Sequence, residues 1–248
     1  MADRFYIPPA SWNPAALELA EHEARHCTQV MRHQVGDEIV VFNGAGDLAQ
    51  ARITTVQKHR VTLATLQVLS TPAPTCQITL AAALIKAERW EWLVEKATEL
   101  GAAEIQPLVT ERCVVRLSAE DAARKHEKWQ RLMIETCKQC GQVWAPKLRA
   151  PRKLDALLAD APSYHLALIA SLDPAARSIP QIIAAQASAP ARVLVLIGPE
   201  GDFSPAEYAL AAQSRLLPVT LGTRVLRAET AALSSLSILG QLLLNTAP

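Results

Sequence analysis

"RVLVLIGPEGDFSPAE", residues 192–207, holds three signals in succession. "RVLVLI" is a short continuous apolar run, the pattern of a strand covered on both faces of a parallel sheet. "SPAE" is a helix start: Ser204 can cap, Pro205 suits the first turn, and Glu207 completes a capping box. Between them, "GPEGDF" must turn the chain at the carboxyl end of the strand. That is where open α/β sheets bind their ligands.

The same alternation extends on both sides. "QITLAAALI" (77–85) reads as a buried strand, and "ERWEWLVEKATEL" (88–100) as an amphipathic helix stopped at Gly101. "AEIQPLVT" (103–110) is the next strand. Ser118, with Asp121 three residues on, starts a long helix. "YHLALIAS" (164–171) is another apolar strand, and Ser178 caps the helix that follows it. Strand and helix in alternation imply an α/β fold with an open parallel sheet.

Upstream of the linker "STPAPT" (70–75) the pattern changes. "DEIVVFN", "LAQARITTV" and "VTLATLQVL" alternate as strands, with one early helix in "EHEARHCTQVMR" (21–32). They suggest a small β-barrel over residues 1–72, ahead of an α/β domain over 76–248.

Composition narrows the function. Half of the 248 residues are apolar, only 4% are aromatic, and the net charge is +1. No run reaches the roughly 20 apolar residues of a membrane span, and the N-terminus lacks a signal-peptide core, so a cytoplasmic protein without a membrane partner is expected. The five cysteines are odd in number and scattered; Cys137 and Cys140 form one C-x-x-C, too few ligands for a zinc site, and no metal is expected. Charge is unevenly spread: residues 112–153 hold 11 Lys/Arg against 4 Asp/Glu. Within them Arg124, Lys128, Arg131, Glu135, Lys138 and Gln142 follow helical spacing, so the cations form a stripe suited to a polyanion.

The loops lack the common catalytic signatures: no G-x-G-x-x-G, no phosphate-binding loop, no G-x-S-x-G elbow. They offer glycine and main chain. Gly198, Gly201 and Gly222 allow a ligand to approach closely, or merely permit tight turns. Leu221, Val225 and Leu226 could line a slot for a flat, neutral heterocycle. The stretch "LGTRVLRAET" (221–230) sets Arg224, Arg227 and Glu229 between two apolar segments, where a simple turn needs no charge.

"LIGPEGDFSPAE" followed by "LGTRVLRAETAALSSL" resembles the RsmE family of ribosomal RNA methyltransferases, in the SPOUT superfamily. "RFYIPP", "VMRHQVGDEIVVFNGAG", "KAERWEWLVEKATELGAAEIQPLVTER" and "KWQRLMIETCKQCGQVWAP" extend the likeness over nearly the whole chain. The resemblance implies a PUA-like RNA-binding barrel at the N-terminus and a SPOUT sheet with a C-terminal trefoil knot. It implies a homodimer that methylates N3 of a uridine in 16S RNA, free or in the assembled 30S subunit, using S-adenosylmethionine. The cofactor pocket would comprise Ile197, Gly198, Glu200, Gly201, Leu221, Gly222, Val225, Leu226, Arg227 and Thr230. Arg4, Arg32, Arg112, Arg131 and Lys138 are the expected RNA contacts, and Arg224 a solvated neighbour or phosphate contact.

Three positions depart from the family pattern. Asp202 stands where a second glycine is usual, Lys138 where Glu is common, and Gln142 where Arg is common. Lys138 and Gln142 are four apart, so the basic group would have moved one turn along the helix.

Uridine N3 methylation requires loss of the N3 proton and a cation near the uracil oxygens. Arg227 is the candidate cation, and Glu229 or Glu200 the proton acceptor or relay. Structural roles compete: Arg227 with Glu229 as a clamp, and Glu200 as a partner of loop amides. Ribose 2′-O-methylation and a non-catalytic RNA-binding or ribosome-assembly role are the rival functions.

Overall fold

The computed structural model describes residues 3–244. Contacts divide it into two compact units: residues through Ala73 together with Ile134–Ala145, and Pro74–Met133 together with residues from Pro146 onward.

The first unit is built on five strands: β1 (Arg4–Tyr6), β2 (Glu18–Ala20), β3 (Glu38–Phe42), β4 (Asp47–Gln57) and β5 (Arg60–Ser70). They lie in the order β1-β3-β4-β5-β2, antiparallel except for β1 beside β3. The sheet curls around Phe5, Leu17, Leu19, Ile39, Val41, Ile53 and Val61. A short helix, α1 (Glu21–Arg25), runs into a wider turn over His26–Val30 and contributes Ala24 and Cys27 to that core.

The second unit carries a parallel sheet: β6 (Gln77–Ala83), β7 (Glu104–Val109), β8 (Lys147–Leu148), β9 (Arg152–Lys153), β10 (Leu166–Ala170), β11 (Arg177–Ser178), β12 (Arg192–Ile197) and β13 (Leu217–Thr220). The order is β11-β13-β10-β12-β6-β7-β8, with β9 also on β7. The continuous apolar strand pattern has a direct cause. In β12, Val193, Val195 and Ile197 enter one core, and Leu194 and Leu196 enter the core on the other face. Each fully buried side chain of this size adds about 1.5–3 kcal/mol of burial free energy.

On the first face pack α2 (Ala87–Glu99), α5 (Ile179–Ala184), α7 (Ala228–Leu243) and, through Trp129 and Met133, α3 (Ala119–Cys140). On the second pack α4 (Leu154–Leu158) and α6 (Pro205–Gln213). α7 presents Ala231, Ala232 and Ser235 inward, and these small residues let it lie close to α2 and β6. No described helix is long and apolar enough to cross a membrane.

α3 carries the basic stripe, and its residues from Ile134 group with the first unit. There Lys138 departs from expectation. Its side chain is 7% exposed, and its ammonium donates to Glu23 Oε1 at 2.5 Å and Glu135 Oε1 at 2.7 Å. The ammonium is thus engaged inside the unit, which weighs against the expected RNA contact. The same ammonium bonds both glutamates of the cluster His22, Glu23 and Glu135, the one group with metal-ligand spacing among the described residues. Gln142 donates to the Trp144 carbonyl at 2.6 Å. Cys137 is buried while Cys140 is exposed, and burial pushes the Cys137 thiol up to about 12.

Candidate active site

Strands β13, β10 and β12 are neighbours, and the segments leaving their carboxyl ends meet around one slot. β12 supplies Ile197, Gly198, Pro199, Glu200 and Asp202; β13 supplies Leu221, Gly222, Arg224, Val225 and Leu226. α7 closes the slot with Ala228 and Ala231. The sequence reading missed the third contributor, Ala170–Leu172 after β10. "YHLALIAS" was visible as a strand, but only the sheet order puts its end between the other two.

The loop after β12 is held from several sides. Asp202 N donates to the Pro199 carbonyl at 2.9 Å, closing a tight turn. Asp202 has φ +62, the left-handed region that the usual glycine would enter freely. Its carboxylate supports that conformation by accepting from Phe203 N at 2.8 Å and Tyr208 Oη at 2.9 Å. Burial first, and the Asp202 bond second, push the Tyr208 phenol up, so it stays a donor. The capping box forms as read: Ser204 Oγ accepts from Glu207 N, and Glu207 Oε2 accepts from Ser204 N. Glu207 Oε1 also accepts from Glu111 N at 2.8 Å. Arg112 donates to the carbonyls of Gly201 at 2.7 Å and Phe203 at 3.4 Å.

Two glycines have steric reasons to be glycine. A Cβ on Gly198 would stand 3.1 Å from the Phe203 ring. Gly222 has φ +120, which an L side chain rarely adopts, and open space beside it. An apolar slot edged by accessible main chain suits a planar heterocycle.

The charged residues separate into distinct settings. Glu200 lines the slot with its side chain 38% exposed, whereas Glu229, in the first turn of α7, is nine-tenths buried outside the lining. The clamp considered between Arg227 and Glu229 is not what forms. Arg89, on the first turn of α2, lies 3.7 Å from Glu200 Oε1 and 3.8 Å from Glu229 Oε1. Arg227 is the N-cap residue of α7; its exposed side chain has no hydrogen-bond or ion-pair partner among the described residues. Gly201, Arg227 and Thr230 flank the slot without lining it, whereas Arg224 lines it.

The other expected contacts also resolve. Arg4 donates to the Gly141 carbonyl at 2.6 Å. Arg32 is exposed at φ +61, and the acidic residues a few places along the chain are engaged elsewhere: Asp37 with His33, Glu38 with Arg52. Arg131 is exposed and, among the described residues, reaches the Glu127 carbonyl at 3.4 Å. A larger cavity of about 1170 Å³ opens between Val109–Ala123 and Pro151–Asp155. Its lining mixes Glu111, Arg116, Glu127, Lys153 and Asp155 and includes no glycine, so it lacks the close main-chain approach of the slot.

Known proteins are similar to this chain in sequence and fold. A family model described as RNA methyltransferase domain matches residues 71–240, and one described as RNA methyltransferase PUA domain matches 19–66. The ribosomal RNA small subunit methyltransferase E of Synechocystis sp. is 30% identical across 98% of this chain and 78% of its own length. A protein from Legionella pneumophila, described as a methyltransferase and solved with bound SAM, is 36% identical with a TM-score of 0.88, covering 98% of each chain. The Neisseria gonorrhoeae ribosomal RNA small subunit methyltransferase E, solved with S-adenosylmethionine, is 29% identical with a TM-score of 0.86, again over 98% of each chain. Matched in both segments and related along nearly its full length, this chain belongs to the RsmE family of ribosomal RNA small subunit methyltransferases.

Proposed function

We infer that this protein methylates N3 of a uridine in small-subunit ribosomal RNA, with S-adenosylmethionine as donor. The observation that carries the reading is the slot itself. Two glycine-edged loops and an apolar helix face enclose it, with Glu200 on its wall and an unpaired arginine at the start of the closing helix. Ile197, Leu221, Val225, Leu226, Ala228 and Ala231 supply the surface for an adenine ring, and the main chain at Gly198 and Gly222 supplies polar partners. Threading of the C-terminal segment as a trefoil knot belongs to the same reading.

Bound S-adenosylmethionine supplies a methyl group already activated by its sulfonium. The chain must therefore orient the uracil, remove the N3 proton and stabilise the charge that spreads onto the ring oxygens. Arg227 takes the last role, since no carboxylate among the described residues competes for its guanidinium. Glu200 takes the proton, because it lines the slot, and Glu229 supports it from the buried side. Arg4, Arg32, Arg112 and Arg131 contact RNA phosphates, which position the target without reading its sequence. The protein acts as a homodimer. α2 and α7 each keep a large apolar side chain uncovered, Trp92 at 45% and Leu242 at 36% exposure, which suits a second copy.

The test is to incubate the protein with labelled S-adenosylmethionine and either naked small-subunit RNA or assembled subunits, then map the product nucleoside by mass. A base methyl on uridine supports the reading. A ribose methyl replaces it with 2′-O chemistry, and no transfer with either substrate overturns it.

A further inference from the structure

We propose that Arg89 is a positioning residue for the reaction, a shared cation that holds Glu200 and Glu229 together and follows the negative charge between them. The inference rests on the proton-acceptor role given to Glu200 above. Arg89 lies outside both C-terminal motifs, 111 residues before Glu200 and 140 before Glu229. The fold brings its guanidinium to 3.7 Å from one carboxylate and 3.8 Å from the other. These separations are ion pairs too long for hydrogen bonds, so the cation is attracted to both and closed on neither.

Glu229 adds an independent observation. Its Oε2 is buried and has no hydrogen-bond partner among the described residues. A buried carboxylate oxygen left without a donor is costly, so closure of a neighbouring donor onto it is favoured. The neighbouring guanidinium carries five N–H donors in a planar fork and can close on a carboxylate with two parallel bonds. When Glu200 accepts the N3 proton, the N–H bond breaks, an O–H bond forms, and the nitrogen keeps the electron pair. Glu200 is then neutral, and the attraction of Arg89 passes wholly to Glu229, whose empty oxygen can receive it. Arg89 thus fixes Glu200 at the slot before proton transfer and settles on Glu229 afterwards.

Arg89→Met and Arg89→Lys in the full chain test this, together with Glu229→Gln and the double variant. Arg89→Met is expected to lower kcat about 10–100-fold, while the KM for RNA and the calorimetric Kd for S-adenosylmethionine stay within about threefold. Arg89→Lys should recover part of the loss, since a point charge can face one carboxylate but not fork onto the other. The shifts in melting temperature of Arg89→Met and Glu229→Gln should be non-additive in the double variant. Unchanged kcat in Arg89→Met overturns the proposal. So does a loss of kcat matched by equal losses of cofactor affinity and melting temperature, which marks a purely structural residue. If the unaltered protein transfers no methyl group, the proposed function fails first. The melting cycle then still judges the bridge, and additive shifts overturn it.

Discussion

The two loops that edge the slot are built in opposite ways. The first, Gly198–Phe203, is pinned from four directions: by its own turn, by Tyr208, by the Ser204–Glu207 capping box and by Arg112. The second, Leu221–Arg227, has little of this. Thr220 Oγ1 exchanges bonds with the main chain of Gly222, while Thr223, Arg224, Val225 and Arg227 are exposed, Val225 at 79%. One wall of the slot is therefore made before any ligand arrives, and the other is free to adjust to it. A preformed wall lowers the ordering cost of binding, and an adjustable one lets the charged side chains close around the substrate.

The largest expected effect lies in the free loop. Arg227→Ala should reduce kcat by about 10²–10³-fold, the usual loss when a cation or donor facing developing charge is removed. Cofactor affinity and melting temperature should stay close to those of the unaltered protein, because the side chain has no partner among the described residues to lose. A parallel fall in melting temperature would show that this loop is held after all.

Glu207→Ala attacks the pinned loop. It removes the Glu207 half of the capping box and strands the amides of Ser204 and Glu111, a combined cost of about 2 kcal/mol. Thermal unfolding should register it, and calorimetry should show weaker binding of S-adenosylmethionine. Stability lost without any change in affinity would mean that the rigid wall does not shape the slot.

Gly222→Ala should do the reverse. A side chain at φ +120 imposes strain of about 1–3 kcal/mol, which an exposed loop can relieve by moving. Affinity for the cofactor should fall up to tenfold while the melting temperature hardly changes.

The smallest effects extend the contrast between held and free groups to the cations. Arg32→Ala should lower the salt dependence of RNA binding by about one counterion, whereas Lys138→Ala should leave that slope unaltered. Equal slopes for the two variants would return Lys138 to the RNA surface.

Much of this was legible along the chain because its causes are local. Ser204, Pro205 and Glu207 announce a helix start within four residues, and the cap forms with those partners. "RVLVLI" announces a strand buried on both faces, and its side chains divide between two cores. The helical stripe in α3 was also readable, but its chemistry was not. Lys138 shares a face with exposed cations such as Arg131, yet Glu23, 115 residues away, captures it. Arg89 lay inside a family-like block but gave no signal of its own role, since a lone arginine in the first turn of an amphipathic helix is ordinary.

The sequence alone determined the alternation of strands and helices, their caps and the glycine positions, because these depend on residues a few places apart. The resemblance in its last third pointed to the same loops. Tertiary structure alone decided that β10 lies between β12 and β13, that Ala170–Leu172 therefore joins the slot, and that Arg89 faces both glutamates. Strand order and ion pairing across more than a hundred residues are set by how faces bury against one another, and no local pattern records that choice.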